Sequence, residues 1–220
     1  MNTQMLEILR NFGTINSNLV FREGNVVRTV SDAKNVMAKA TAPEPMPKEF
    51  GIYDVNELMS ALSLIEGATV SYEDKHLLIK GGNSSIKYFY SDVEMLTSAP
   101  DKDIMMPPCE VTFTLKESVL SGLRKASQAL GHKTLLIEKG AIEGTVKLSI
   151  VDLKNPSSNA YSVSVDGNFG SVQDTTRLSI NIDNLKLVSG DYQVEVSSKL
   201  ISKFTNSSKP FEYWIALEKN

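Results

Sequence analysis

The chain has one cysteine, Cys109, and two histidines, His76 and His132, among 220 residues. A single thiol excludes an intrachain disulfide, and a reduced cytosol is the expected compartment. Neither histidine has a partner at ligand or catalytic spacing, so zinc sites and histidine-assisted nucleophiles are hard to build; both are expected in surface loops. No apolar run is long enough for a membrane span, and Met1 to Glu7 lack the basic-then-apolar pattern of a signal peptide. An excess of one charge is missing as well. Lys and Arg number 23 against 26 acidic residues, a net charge of -3, which argues against coating nucleic acid by bulk attraction. Any nucleic-acid contact must be local.

The motifs of catalysis are missing too. Gly81-Gly82 and Gly122 are not followed by the lysine and hydroxyl of a phosphate-cradling loop. Glu73-Asp74, and Asp101 with Asp103, fall in turn or linker sequence and are expected to be solvated. Cys109 is expected to be a small, partly buried residue. No cofactor, metal or catalytic residue is expected, and the chain is read as no enzyme.

What is present is a soluble globular balance, 41% apolar and 22% charged, over a length that suits one large or two medium domains. Four stretches carry helical periodicity. The first runs from about Asn2 to Phe12 with Met5, Ile8, Leu9 and Phe12 on one face. The second runs from Asp54, an N-cap three residues ahead of Glu57, to Ile65. The third runs from Leu115 to Leu130, burying Leu115, Val119, Leu123, Ala126 and Leu130 before Gly131 stops it. A short fourth spans about Ile182 to Val188. Between them, residues 68–72, 77–80, 85–90, 134–138, 146–152, 161–165, 192–197 and 213–217 alternate as strands do. Turns are expected at Glu66-Gly67, Glu73-Asp74, Gly81-Gly82, Lys139-Gly140 and Asp166-Gly167. Three prolines and a charge cluster between Ser98 and Pro108 break the pattern. The predicted architecture is α+β, two similar halves of two helix-plus-strands units each: residues 1–98, a connector 99–109, and 110–220.

Basic residues fall on helix faces. Projected at 100 degrees per residue, Arg10 lies opposite the apolar face of the first helix, and Arg124 and Lys125 flank the outer pole of the third. Lys116 lies at its side, Lys133 past its end and Lys186 on the fourth, while the second helix carries Glu57 and no basic residue. Ordinary solvated positions explain each of these singly.

The run from Ile8 to Ser17 resembles the first helix and following strand of the tailed-phage DNA polymerase sliding clamps. Ile52 to Asn56 with Leu62 to Ile65 is similar to their second helix. Asn181 to Lys186, Gly190 to Tyr192 and Tyr213 to Glu218 resemble the fourth helix and last strand. The likeness is collinear and touches all four units, but not residues 23–49 and 153–176. It implies a DNA clamp fold of two domains per protomer, a homotrimeric ring closed head to tail, and helices lining a hole for double-stranded DNA. Arg10, Arg124 and Lys186 then occupy basic positions of hole-facing helices, with Lys125, Lys116 and Lys133 as additions. The implied partners are the replicative DNA polymerase, an ATP-driven clamp loader and late transcription factors, in the cytoplasm of an infected bacterial host. A partner-peptide groove is expected between Ile104, Met105, Met106 and Pro107 and the last strand at Trp214, Ile215 and Leu217. The alternative reading is a non-catalytic phage structural protein of repeated strand-rich domains.

Overall fold

The structure, a computed structural model, describes residues 2–171 and 177–219, in two compact units, Met1–Asp103 and Ile104–Asn220. The N-terminal unit opens with α1 (Thr3–Ile15), capped by the Asn2 side chain, which accepts from the Gln4 N–H at 2.8 Å. The helix outlasts its predicted end at Phe12 because Ile15 extends the buried stripe of Met5, Ile8, Leu9 and Phe12 by one more step of three. Asn16 then stops it. Its side chain turns inward to donate to the Val30 carbonyl at 2.9 Å and to accept from the Asn18 N–H at 2.9 Å.

Strands β1 (Leu19–Phe21), β2 (Gly24–Val30), β3 (Val36–Met46) and β4 (Phe50–Ile52) follow, in the order β3-β2-β1-β4. Most of β2 and β3 lies in the stretch that periodicity left unassigned. Helix α2 (Val55–Ser63) is shorter than predicted, and Asp54 caps it by accepting from the Asn56 and Glu57 N–H groups at 2.8 and 3.3 Å. The helix meets α1 at Gly13, where a Cβ would lie 3.1 Å from Asn56 Oδ1. Strands β5 (Thr69–Tyr72), β6 (His76–Gly81) and β7 (Ser84–Phe89) make a second antiparallel sheet in that order. His76 is therefore a strand residue, its ring 5.4 Å from that of Phe89.

The C-terminal unit consists of β8 (Val111–Leu115), α3 (Glu117–Leu130), β9 (Thr134–Lys139), β10 (Thr145–Val151), β11 (Tyr161–Phe169), β12 (Leu178–Asn181), β13 (Tyr192–Ser197), β14 (Ile201–Asn206) and β15 (Phe211–Ala216). Its strands run β12-β9-β10-β11-β8-β13-β14-β15. The predicted fourth helix is a single 3-10 turn at Ile182–Asn184; on a helix the buried Ile182, Leu185, Leu187 and Val188 would spread over more than half of the circumference, too wide for one face. Nor do Asp166-Gly167 form a turn. They lie within β11, where Gly167 is pressed against Phe113, a Cβ there falling 2.5 Å from the Phe113 Cβ. The order helix, three strands, strand, helix or turn, three strands recurs in both units.

Asp101 and Asp103 are not free turn residues. Asp101 pairs with Arg22, and Asp103 bonds Arg28 at 2.6 Å and Lys39 at 2.9 Å, pinning the start of the connector to the N-terminal sheet. At its other end, Glu110 accepts from the Ser198 N–H and hydroxyl at 2.8 and 2.7 Å.

Candidate nucleic-acid interface

The basic residues singled out on the helices divide into exposed and engaged. Arg10 stands exposed on α1, on the side away from Ile8, Leu9 and Phe12. The exposed face of α2 is Asn56, Glu57, Ser60 and Ser63, without a basic side chain, and Glu57 is occupied by the Tyr88 hydroxyl at 3.2 Å.

On α3 Leu123 is buried as predicted, but its buried companions are Leu120 and Ser127; Val119, Ala126 and Leu130 are only half-buried, and Leu115, buried as predicted, belongs to β8. That turns the inward face toward Arg124, four residues after Leu120 and so directly above it, and leaves Lys125 on the outer pole. Arg124 is half-buried and its guanidinium donates to the Leu185 carbonyl. Burial pushes its pKa below the ordinary arginine value. A cavity of about 240 Å³ opens beside it, lined among others by Ser121, Lys125, Gln128 and Ser189. The predicted outward position of Arg124 is corrected accordingly: its first task is to hold the chain after the 3-10 turn.

Lys116 and Lys133 are exposed yet paired. Lys116 bonds Asp191 at 2.8 Å, and Lys133 pairs with Asp183. Lys186 is half-buried beyond the 3-10 turn rather than on a helix. Asp191 also accepts from the Glu117 N–H at 2.9 Å. It caps α3 from outside because the N-cap residue, Lys116, has no acceptor.

The partner groove is only half open. Met105 is 91% exposed, and Ile104, Met106 and Pro107 are half-buried. Trp214, Ile215 and Leu217 are core residues at 3%, 0% and 5% exposure. Consecutive buried side chains on β15 mean that both faces of the strand are covered, so these three do not line an open surface. Among the described residues no cluster of three or more metal-ligating side chains occurs, and no helix is long and apolar enough to cross a membrane.

The family described as DNA polymerase processivity factor matches residues 2–99. A sliding clamp of Vibrio phage KVP40 is 29% identical over 223 residues, spanning 99% of this chain and 98% of the relative. The sliding clamp of Escherichia phage RB69 is 27% identical over 229 residues, spanning 99% and 96%. The solved structure of A. fulgidus PCNA with the C-terminal region of FEN-1 bound superposes with a TM-score of 0.73 at 14% identity, covering 100% of this chain and 97% of that one, and so shares the fold. These likenesses displace the structural-protein reading. The N-terminal unit thus matches the DNA polymerase processivity factors almost throughout, the whole chain is collinear with the sliding clamps of these phages, and it shares the clamp fold.

Proposed function

We propose that this processivity factor works by topology: three copies close head to tail around duplex DNA and tether the replicative polymerase to it. The observation that carries this reading is the sparseness of exposed positive charge within the helices, Arg10 on α1 and Lys125 on α3, in a chain of net charge -3. A protein that must slide needs weak, sequence-blind phosphate contacts, and strong attraction would arrest it. Arg124, Lys186, Lys116 and Lys133 are secondary members of the same lining, since each is half-buried or already paired.

Ring closure uses sheet edges. Among the described residues β7 pairs only with β6, and Tyr161 to Asp166 of β11 pair only with β10, so each offers an open edge to a second copy. The exposed Phe89 and Tyr161 supply apolar area at these edges. Partners dock on the connector at Ile104 to Pro107, where Met105 is an adaptable apolar contact. A C-terminal tail of the polymerase is the expected ligand, by analogy with the FEN-1 C-terminal region held by A. fulgidus PCNA. Opening the ring falls to an ATP-driven clamp loader, and a ring left on DNA serves late transcription factors as a mobile platform. The site of action is the cytoplasm of the infected host.

The test is retention on DNA. Loaded onto nicked circles, the protein stays bound in high salt and is lost when the circle is cut, whereas equal loss from circles and linear DNA would overturn the topological reading.

A further inference from the structure

The two units differ at one place that bears on binding. In the C-terminal unit β8 leads into α3 and runs between the edge of β13, paired from Tyr192↔Leu115 to Val196↔Val111, and the end of β11, at Gly167↔Phe113. In the N-terminal unit the counterparts are α1, β5 and β3, and among the described residues no strand stands between them. A groove of about 450 Å³ lies there instead, bounded by Asn2 and Met5 at the start of α1, Glu44 and Met46 at the end of β3, and Val70 and Tyr72 of β5.

The edge of β5 is set up for pairing. The Glu73 N–H donates to the His76 carbonyl at 3.0 Å, which fixes the alternation: Thr69 and Ser71 bond to β6, while Val70 and Tyr72 turn their N–H and C=O groups toward the groove. The β3 side is blunted by Pro43 and Pro45, which have no N–H. Pairing in the groove therefore goes through β5. The floor is apolar, made by Met5, Met46 and the half-buried Val70 and Tyr72, and Glu44 is the one charged residue of the lining.

We propose that this groove takes an extended segment of a partner protein, about five residues long, added to β5 as a strand. The segment carries apolar side chains at alternate positions and a lysine or arginine that meets Glu44. Its form follows from β8, whose alternating Val111, Phe113 and Leu115 are buried in the corresponding place.

The probe is a fluorescein-labelled peptide with the sequence of residues 110–116, which contains that alternation and a terminal Lys116. Polarisation titrations use the full chain, without DNA or other partners, so the result is independent of the clamp reading. Binding is expected, with shifts in the Val70 and Tyr72 amide resonances. Val70→Pro removes an outward N–H and leaves the β6 ladder intact, so the chain stays folded, which thermal melting checks, and affinity falls at least about tenfold. Glu44→Lys weakens binding about threefold. Failure of the peptide to bind, or binding unchanged by Val70→Pro, would overturn the strand slot, and unchanged affinity in Glu44→Lys would overturn the basic partner.

Discussion

Arg124 and Lys125 are neighbours in sequence with different roles. Arg124 holds the Leu185 carbonyl from a half-buried position, so Arg124→Ala strands a polar group and lowers stability by about 1–3 kcal/mol. Lys125→Ala stays within about 0.5 kcal/mol; urea unfolding of both variants checks the contrast. The Asp103 carboxyl is held down to about 2, below its ordinary 3.8, chiefly by the hydrogen bond from Arg28 and then by that from Lys39. A lowered folded value stabilises above the unfolded value, and that contribution disappears as pH falls from about 4 to 2. Asp103→Asn thus lowers the urea midpoint at neutral pH and flattens its fall through this window, and a parallel pH profile would refute the assignment. Lys34 sits at a φ of 54° in the β2–β3 turn with its side chain exposed. Lys34→Gly should raise stability by about 0.5–1 kcal/mol on thermal melting.

At the scale of elements, edges and caps decide behaviour. The Tyr90 N–H donates to the Lys75 carbonyl at 3.1 Å, so Tyr88 and Ile86 bond inward to β6 and Lys87 faces out of the sheet. Lys87→Pro spares the protomer and removes an edge donor, so the ring should dissociate at least about tenfold more readily in sedimentation. The first, second and third helices were legible from their spacing, because an amphipathic stripe is a local property. The fourth was not. Its apolar run between Ile182 and Val188 is buried as irregular chain, and a seven-residue window cannot separate buried loop from helix. β3 escaped because it contains Ala38, Ala40, Pro43 and Pro45, which lack strand propensity, and tertiary pairing, with β2 among others, makes it a strand.

For the whole molecule, the balance of charge is the functional quantity. Arg10→Glu with Lys125→Glu should cut processive synthesis by the cognate polymerase while the ring, read by its sedimentation mass, stays closed. A drop in both would mean the two residues act through assembly instead. Because few phosphates are neutralised, DNA retention should depend only weakly on salt, in contrast to a protein that binds by bulk attraction.

By itself the sequence determined the α+β class, three of the helices and most of the later strands, and its short motifs pointed to the phage sliding clamps. It also placed Arg10 and Lys125 on outward helix faces. Those follow from periodicity, turn chemistry and short motifs, all local in the chain. Only the tertiary structure decided which way α3 is turned, that Arg124 serves Leu185, that Trp214 and Ile215 are core rather than groove, and that β5 keeps an open edge. Each of those depends on what lies across a strand or above a helix, and residues distant in sequence supply it.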